Sequence, residues 1–130
     1  MTLTLAKMLD AAHADVPRIS VADARDKVEA GALLLDVRDA PELQATGRAQ
    51  DSHHVPRGML EFRADPESPF ADPMFQKDRP VILHCASGGR AALAGKVLKD
   101  MGYKEVYNLG GFKDWVDGGG PTLEPVDRGM

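Results

Sequence analysis

Two short, unbroken apolar runs that turn polar at their C-terminal ends constrain this chain more than any other feature. One is Ala32-Leu33-Leu34-Leu35, leading into Asp36-Val37-Arg38; the other is Pro80-Val81-Ile82-Leu83, leading into His84 and Cys85. A strand with one wet face alternates apolar and polar residues, so continuous runs of this length fit strands buried on both faces. Helical patterns separate them. Ser20, with Asp23 three residues on, reads as an N-cap, and Val21, Ala24 and Val28 share one face before Gly31, predicting a helix over about Val21 to Ala30. Pro41 suits the first position of a helix that carries Glu42 and Leu43 and stops by Gly47. Leu93, Ala94, Val97, Leu98 and Met101 follow three- and four-residue spacing from Arg90 to Met101, where Gly102 ends the pattern. Val106-Tyr107-Asn108-Leu109 is a third predicted strand, and Gly110-Gly111 turns into one or two helical turns at Phe112 to Val116. Strand and helix in alternation imply an α/β fold around a small, mainly parallel sheet.

The remaining segments are accessory. Leu3, Leu5, Met8 and Leu9, with neighbouring alanines, predict a short amphipathic helix that Pro17 ends. The expected organisation is an accessory helix over 1–15, one domain over 16–126 and a tail over 127–130. Arg48 to His53 reads as a loop and His54-Val55-Pro56 as a brief strand. Prolines at 66, 69 and 73 predict an ordered, irregular excursion from Ala64 to Arg79, with one helical turn near Pro73 to Gln76 and Phe70 and Phe75 as its anchors. Beyond the Gly118-Gly119-Gly120-Pro121 breaker the pattern is that of a loose end.

A chain of 130 residues, 43% hydrophobic, holds one domain with a real core and is too short for two ordinary ones. The net charge of -4 comes from basic residues interleaved with acids, which argues against a nucleic-acid partner, so any anionic ligand must be attracted locally. No apolar run is long enough for a signal peptide or a membrane span, so no membrane association is expected. The single cysteine cannot form an internal disulfide, and no Cys/His pairs suit a structural zinc, so no metal is expected and a reducing, cytoplasmic setting is the natural one.

That cysteine, Cys85, lies where the second apolar run empties into Ala86-Ser87-Gly88-Gly89-Arg90 and a helix. Unpaired cysteines are often simply buried, yet Ser87, Gly88 and Gly89 are poor core neighbours, and glycine allows the close backbone approach that an anion site requires. A strand-to-helix turn presents successive N–H groups to one point, and the helix dipole favours negative charge there, as a sulfur nucleophile requires. Ligands of open α/β sheets bind beyond the carboxyl ends of the strands, so Asp36 and Arg38 are expected to share a rim with Cys85. His84 precedes the thiol, but strand alternation points it to the opposite face. His53 and His54 make no defensible metal spacing with Cys85, and Trp115 and Phe112 read as core anchors.

Leu35-Asp36-Val37-Arg38, His54-Val55-Pro56, Cys85-Ala86-Ser87-Gly88-Gly89-Arg90 and Gly110-Gly111-Phe112-Lys113-Asp114-Trp115, in this order, resemble the single-domain rhodanese family of sulfurtransferases over about residues 16 to 126. The resemblance implies a rhodanese-like α/β fold, with helices on both faces of the sheet. It also implies sulfur transfer from a small donor such as thiosulfate to cyanide or a thiol through a persulfide on Cys85, with no other cofactor. Backbone N–H groups from Ala86 to Arg90 would form the substrate loop, and Asp36 and Arg38 would support it. Arg90 has two readings, contact with the donor or a clamp on the loop; in the family pattern the loop arginine and the aspartate pair, which favours an Arg90–Asp36 clamp, while Arg38 reads as a brace for carboxylates such as Glu42. A protein sulfur acceptor remains open, as does a monomer or a homodimer. The family commonly reads Gly-His-Ile-Pro-Gly-Ala where this chain has His53-His54-Val55-Pro56-Arg57-Gly58, which puts an extra cation, Arg57, near the rim. Two other readings compete: a sulfur-carrier or regulatory binding module without turnover, and a cysteine-dependent phosphatase or arsenate reductase. The latter enzymes place five residues between cysteine and arginine, against four here, Ala86 to Gly89.

Overall fold

A computed structural model describes residues 2–125. The tail assigned to 127–130 lies outside the described residues. Both apolar runs form strands, β1 (Leu33–Asp36) and β4 (Val81–Cys85), and every residue of both is buried. They lie side by side in a four-stranded parallel sheet completed by β3 (His53–His54) and β5 (Val106–Gly111), in the order β3-β1-β4-β5. Side-chain alternation divides the strands between two cores. Leu33, Leu35, Val37, Val81, Leu83 and Cys85 face one layer, and Leu34 and Ile82 face the other.

The first layer is covered by α4 (Leu60–Ala64) and α5 (Gly89–Asp100), with α1 (Leu5–Asp15) packed on α5. Close packing there explains Gly95 in the middle of α5: a Cβ would press on both methyls of Val16 at 2.9 Å. The second layer is covered by α2 (Val21–Glu29) and α6 (Phe112–Asp117), whose Ala24 and Trp115 are fully buried. Helices therefore lie on both faces of the sheet, as expected. The N-cap of α2 is Ser20, whose side chain accepts from Asp23 N–H at 3.1 Å.

Several local expectations require correction. The helix at Pro41, α3 (Ala40–Thr46), begins one residue earlier, and β3 begins one residue before its predicted span and ends two residues short of it. The stretch read as a loop contains β2 (Arg48–Ala49), which pairs antiparallel with β6 (Thr122–Leu123) in the segment read as loose. Trp115 Nε1 donates to Pro121 O at 2.8 Å and helps hold that return in place. Within the Pro-rich excursion the chain makes turns rather than a helical turn at Pro73. Phe75 is buried there, whereas Phe70 is half exposed and meets Phe62 edge to face. His53 and Arg63 both reach the buried carboxylate of Asp72, which ties the excursion to the sheet edge.

Candidate active site

Cys85 is the last residue of β4, and its position follows from strand register. It pairs with Gly111 of β5, after a bulge between Leu83 and His84 that inserts Leu109 on the partner strand. Bulges of this kind re-aim the chain beside functional sites. The loop that follows turns back sharply at Gly88, whose φ of 110° lies in the left-handed region that favours glycine. From there α5 begins. The turn brings Gly88 N–H to within 3.0 Å of Cys85 Sγ, so the sulfur accepts a backbone hydrogen bond at a helix N-terminus. Ala86 and Ser87 form an exposed crown, Gly88 is buried, and Gly89 and Arg90 are half-buried.

The loop rests on β5. A Cβ on Gly111 would overlap the carbonyl of Ala86, so the second glycine of the Gly110-Gly111 pair is a requirement of close approach. Asn108, buried and not anticipated from the sequence, donates from Nδ2 to Gly88 O at 3.1 Å and accepts Gly110 N–H on Oδ1 at 2.8 Å. One amide thus joins the loop to the strand. A polar residue inside an otherwise apolar strand, two positions before a glycine pair, was the available signal.

The two arginines exchange the partners expected of them. Arg38, 2% exposed, donates from Nε and Nη2 to the fully buried Asp36 carboxylate, with Nη2–Oδ2 at 2.8 Å. It also reaches Thr46 Oγ1 and Gly47 O, and its guanidinium lies 4.4 Å over the Phe112 ring. Asp36 is therefore occupied and the Arg90–Asp36 clamp does not form. Arg90 instead makes a bidentate pair with Glu42 of α3, at 2.7 and 2.8 Å, with Asp39 at 4.0 Å. The physical reason is the strand pleat: residues 36 and 38 are two apart and share a face, whereas Glu42 stands at the start of α3 opposite the loop. Arg57, the extra cation, is held by Glu61 at 2.9 Å.

Titration follows these contacts. Hydrogen bonding to Arg90 lowers the Glu42 carboxyl to about 2, and the same contact raises the Arg90 guanidinium, with smaller contributions from Cys85 and Asp39. Because the folded value lies below that of a free glutamate, the pair stabilises the fold fully above pH ~4.5 and progressively less as pH falls toward 2. Acid unfolding followed by circular dichroism should therefore lose part of its slope between those pH values in Glu42→Gln. An unchanged slope would show that the pair contributes nothing to folding. His84 is wholly buried on the opposite face from Cys85, packed beside Phe112 with Nε2 at 3.8 Å from Asp36 Oδ2, and burial pushes its imidazole down. It stands in the wrong layer to serve as a base for the thiol. His54 is structural, with Nε2 2.7 Å from Arg38 O. Among the described residues, no group of three or more His, Cys, Asp or Glu is placed to hold a metal ion, and no helix is long and apolar enough to cross a membrane. A cleft of about 240 Å³ between α3, β2 and β6 lies away from the thiol, with no residue of the Cys85 loop in its lining.

Comparison with known proteins places this arrangement. The model of the rhodanese-like domain matches residues 20–117. A sulfurtransferase of Allochromatium vinosum is 35% identical over 94 residues, 72% of this chain and 79% of that protein. A Rhodopseudomonas palustris protein of unknown function, called a possible tyrosine phosphatase, superposes with a TM-score of 0.85 at 40% identity, covering 95% of this chain and 96% of the other. The polysulfide-sulfur transferase homodimer of Wolinella succinogenes gives a TM-score of 0.72 at 34% identity, over 94% of this chain and 88% of that one.

Proposed function

Since the chain belongs to the rhodanese-like domain family, we propose that it is a sulfurtransferase that carries sulfane sulfur on Cys85. The observation that carries this reading is the hydrogen bond from Gly88 N–H to Cys85 Sγ at the start of α5, where backbone donors and the helix dipole favour a sulfur anion. In the first step the thiolate attacks the outer sulfur of thiosulfate. The Sγ–S bond forms, the S–S bond of the donor breaks with its electron pair, and sulfite leaves as a dianion. In the second step cyanide or a thiolate attacks the outer sulfur of the persulfide, the new S–S bond breaks, and the electron pair returns to Sγ. Both half-reactions place negative charge over the loop, where the N–H groups of residues 86 to 90 can receive it. The donor and acceptor are small molecules, and a protein acceptor suits the same exposed crown. No redox cofactor is needed, because the sulfur is transferred at constant overall electron count.

The name of the Rhodopseudomonas relative raises phosphoryl transfer as the competing reading. Four residues separate Cys85 from Arg90, and Arg90 is paired with Glu42 rather than turned into the loop. A ring of this size suits a single sulfur atom on Sγ and leaves little room for a tetrahedral phosphoryl group. Purified protein should form thiocyanate from thiosulfate or polysulfide and cyanide and should leave p-nitrophenyl phosphate untouched. Phosphate release without thiocyanate would reverse the assignment.

A further inference from the structure

An anionic donor needs a cation near the nucleophile, and three arginines around the sequence motifs are each engaged by a carboxylate. Arg38 is buried against Asp36, Arg90 is forked onto Glu42, and Arg57 is held by Glu61. Arg18 differs from all three. It bridges in parallel to Asn108 at the open edge of β5, where Ile19 N–H donates to Asn108 O at 3.1 Å and Asn108 N–H to Pro17 O at 2.9 Å. Its backbone is therefore fixed, and its side chain runs along the two glycines of the rim. Nη1 lies 3.6 Å from where a Cβ on Gly88 would stand, and a Cβ on Gly110 would overlap Nη2. Gly110 thereby makes the space the guanidinium occupies, and Gly88 stands in ordinary contact range of it. Its ion pair, with Asp114 Oδ2 at 3.5 Å, is long, and that oxygen already accepts Gly111 N–H at 2.7 Å. Both side chains are about half exposed, 56% and 51%.

We infer that Arg18 is the donor-selecting cation of this site, favouring anionic sulfur donors over neutral ones at the mouth of the Cys85 loop. The inference rests on the sulfurtransferase reading for its substrate, though not for its electrostatics. Gly88 is the shared neighbour: Arg18 Nη1 lies 3.6 Å from its Cβ position and Cys85 Sγ 3.0 Å from its N, so covalent geometry keeps guanidinium and sulfur within about 10 Å. At that distance a half-exposed charge changes the local concentration of a monoanion by about two- to fourfold at low salt, and screening removes most of the effect at 1 M.

Alkylation of Cys85 tests this without assuming any substrate. Iodoacetate carries a charge and iodoacetamide does not, so their rate ratio reports the potential at the sulfur. Arg18→Gln should lower that ratio about two- to fourfold at low ionic strength, Arg18→Lys should retain most of it, and the difference should vanish in 1 M salt. For thiosulfate the corresponding loss should appear in KM. An unchanged ratio, or equal slowing of both reagents at every salt concentration, would overturn the inference, the latter by showing that Arg18 only shapes the loop. Wild-type protein that is alkylated with the expected ratio but transfers no sulfur would instead overturn the proposed function.

Discussion

Cys85→Ser should abolish sulfur transfer, a loss on the order of a thousandfold or more, while the protein remains folded. The hydroxyl is almost isosteric and can still accept Gly88 N–H, so the loop keeps its hydrogen bond. What is lost is the thiol sulfur, a far stronger nucleophile than a hydroxyl oxygen and one that forms a stable bond to sulfur. Thiocyanate formation measured beside the far-ultraviolet circular dichroism spectrum separates the two effects. Residual activity near the wild-type level would remove Cys85 from the reaction.

The second large effect is on stability and falls on the Asp36–Arg38 pair. Arg38→Met should destabilise the domain by about 3–5 kcal/mol, because it leaves the Asp36 carboxylate buried without its cation. That is a large part of the ~5–15 kcal/mol typical of a domain. Adding Asp36→Asn should recover much of the loss, since the remaining charge is then gone and the amide oxygen can still accept the backbone N–H of residue 38. Urea denaturation of the two single variants and the double variant measures the coupling. Additive losses would mean that the pair is not a unit, and that the loop-side ends of β1 and α3 are held by other contacts such as Arg38 to Thr46 and Gly47.

Periodicity made the central fold legible. Buried parallel strands leave unbroken apolar runs, and the spacing of Leu93, Ala94, Val97 and Leu98 placed α5 to within a residue. The β2–β6 pairing was not legible, because two-residue strands joined across more than 70 positions leave no repeating pattern. The short α4 was missed for a similar reason: Leu60 and Ala64 bury themselves, but five residues are too few to show a period.

The site divides along the same line. Cys85 and the glycines around it could be placed because a nucleophile between a strand and a helix constrains its own loop. The partners of Arg38 and Arg90 could not be taken from a family pattern. The strand pleat did contain the answer for Arg38, since the chain stays extended past the end of β1 and residues two apart in it face the same way. Glu42 is different: its Oε2 caps Asp39 N–H at 2.8 Å and meets Arg90 at 2.7 Å, and that second contact depends on where α3 lies relative to α5. Arg18 escaped notice because its relevance lies in two glycines that are 70 and 92 positions away in the chain.

Intact-mass spectrometry tests the central claim most directly. Reduced protein mixed with thiosulfate should gain the mass of one sulfur atom, lose it to cyanide or a reductant, and gain none when Cys85 is serine. An unchanged mass in the wild-type protein, or a sulfur adduct that persists in Cys85→Ser, would contradict a persulfide carried on Cys85.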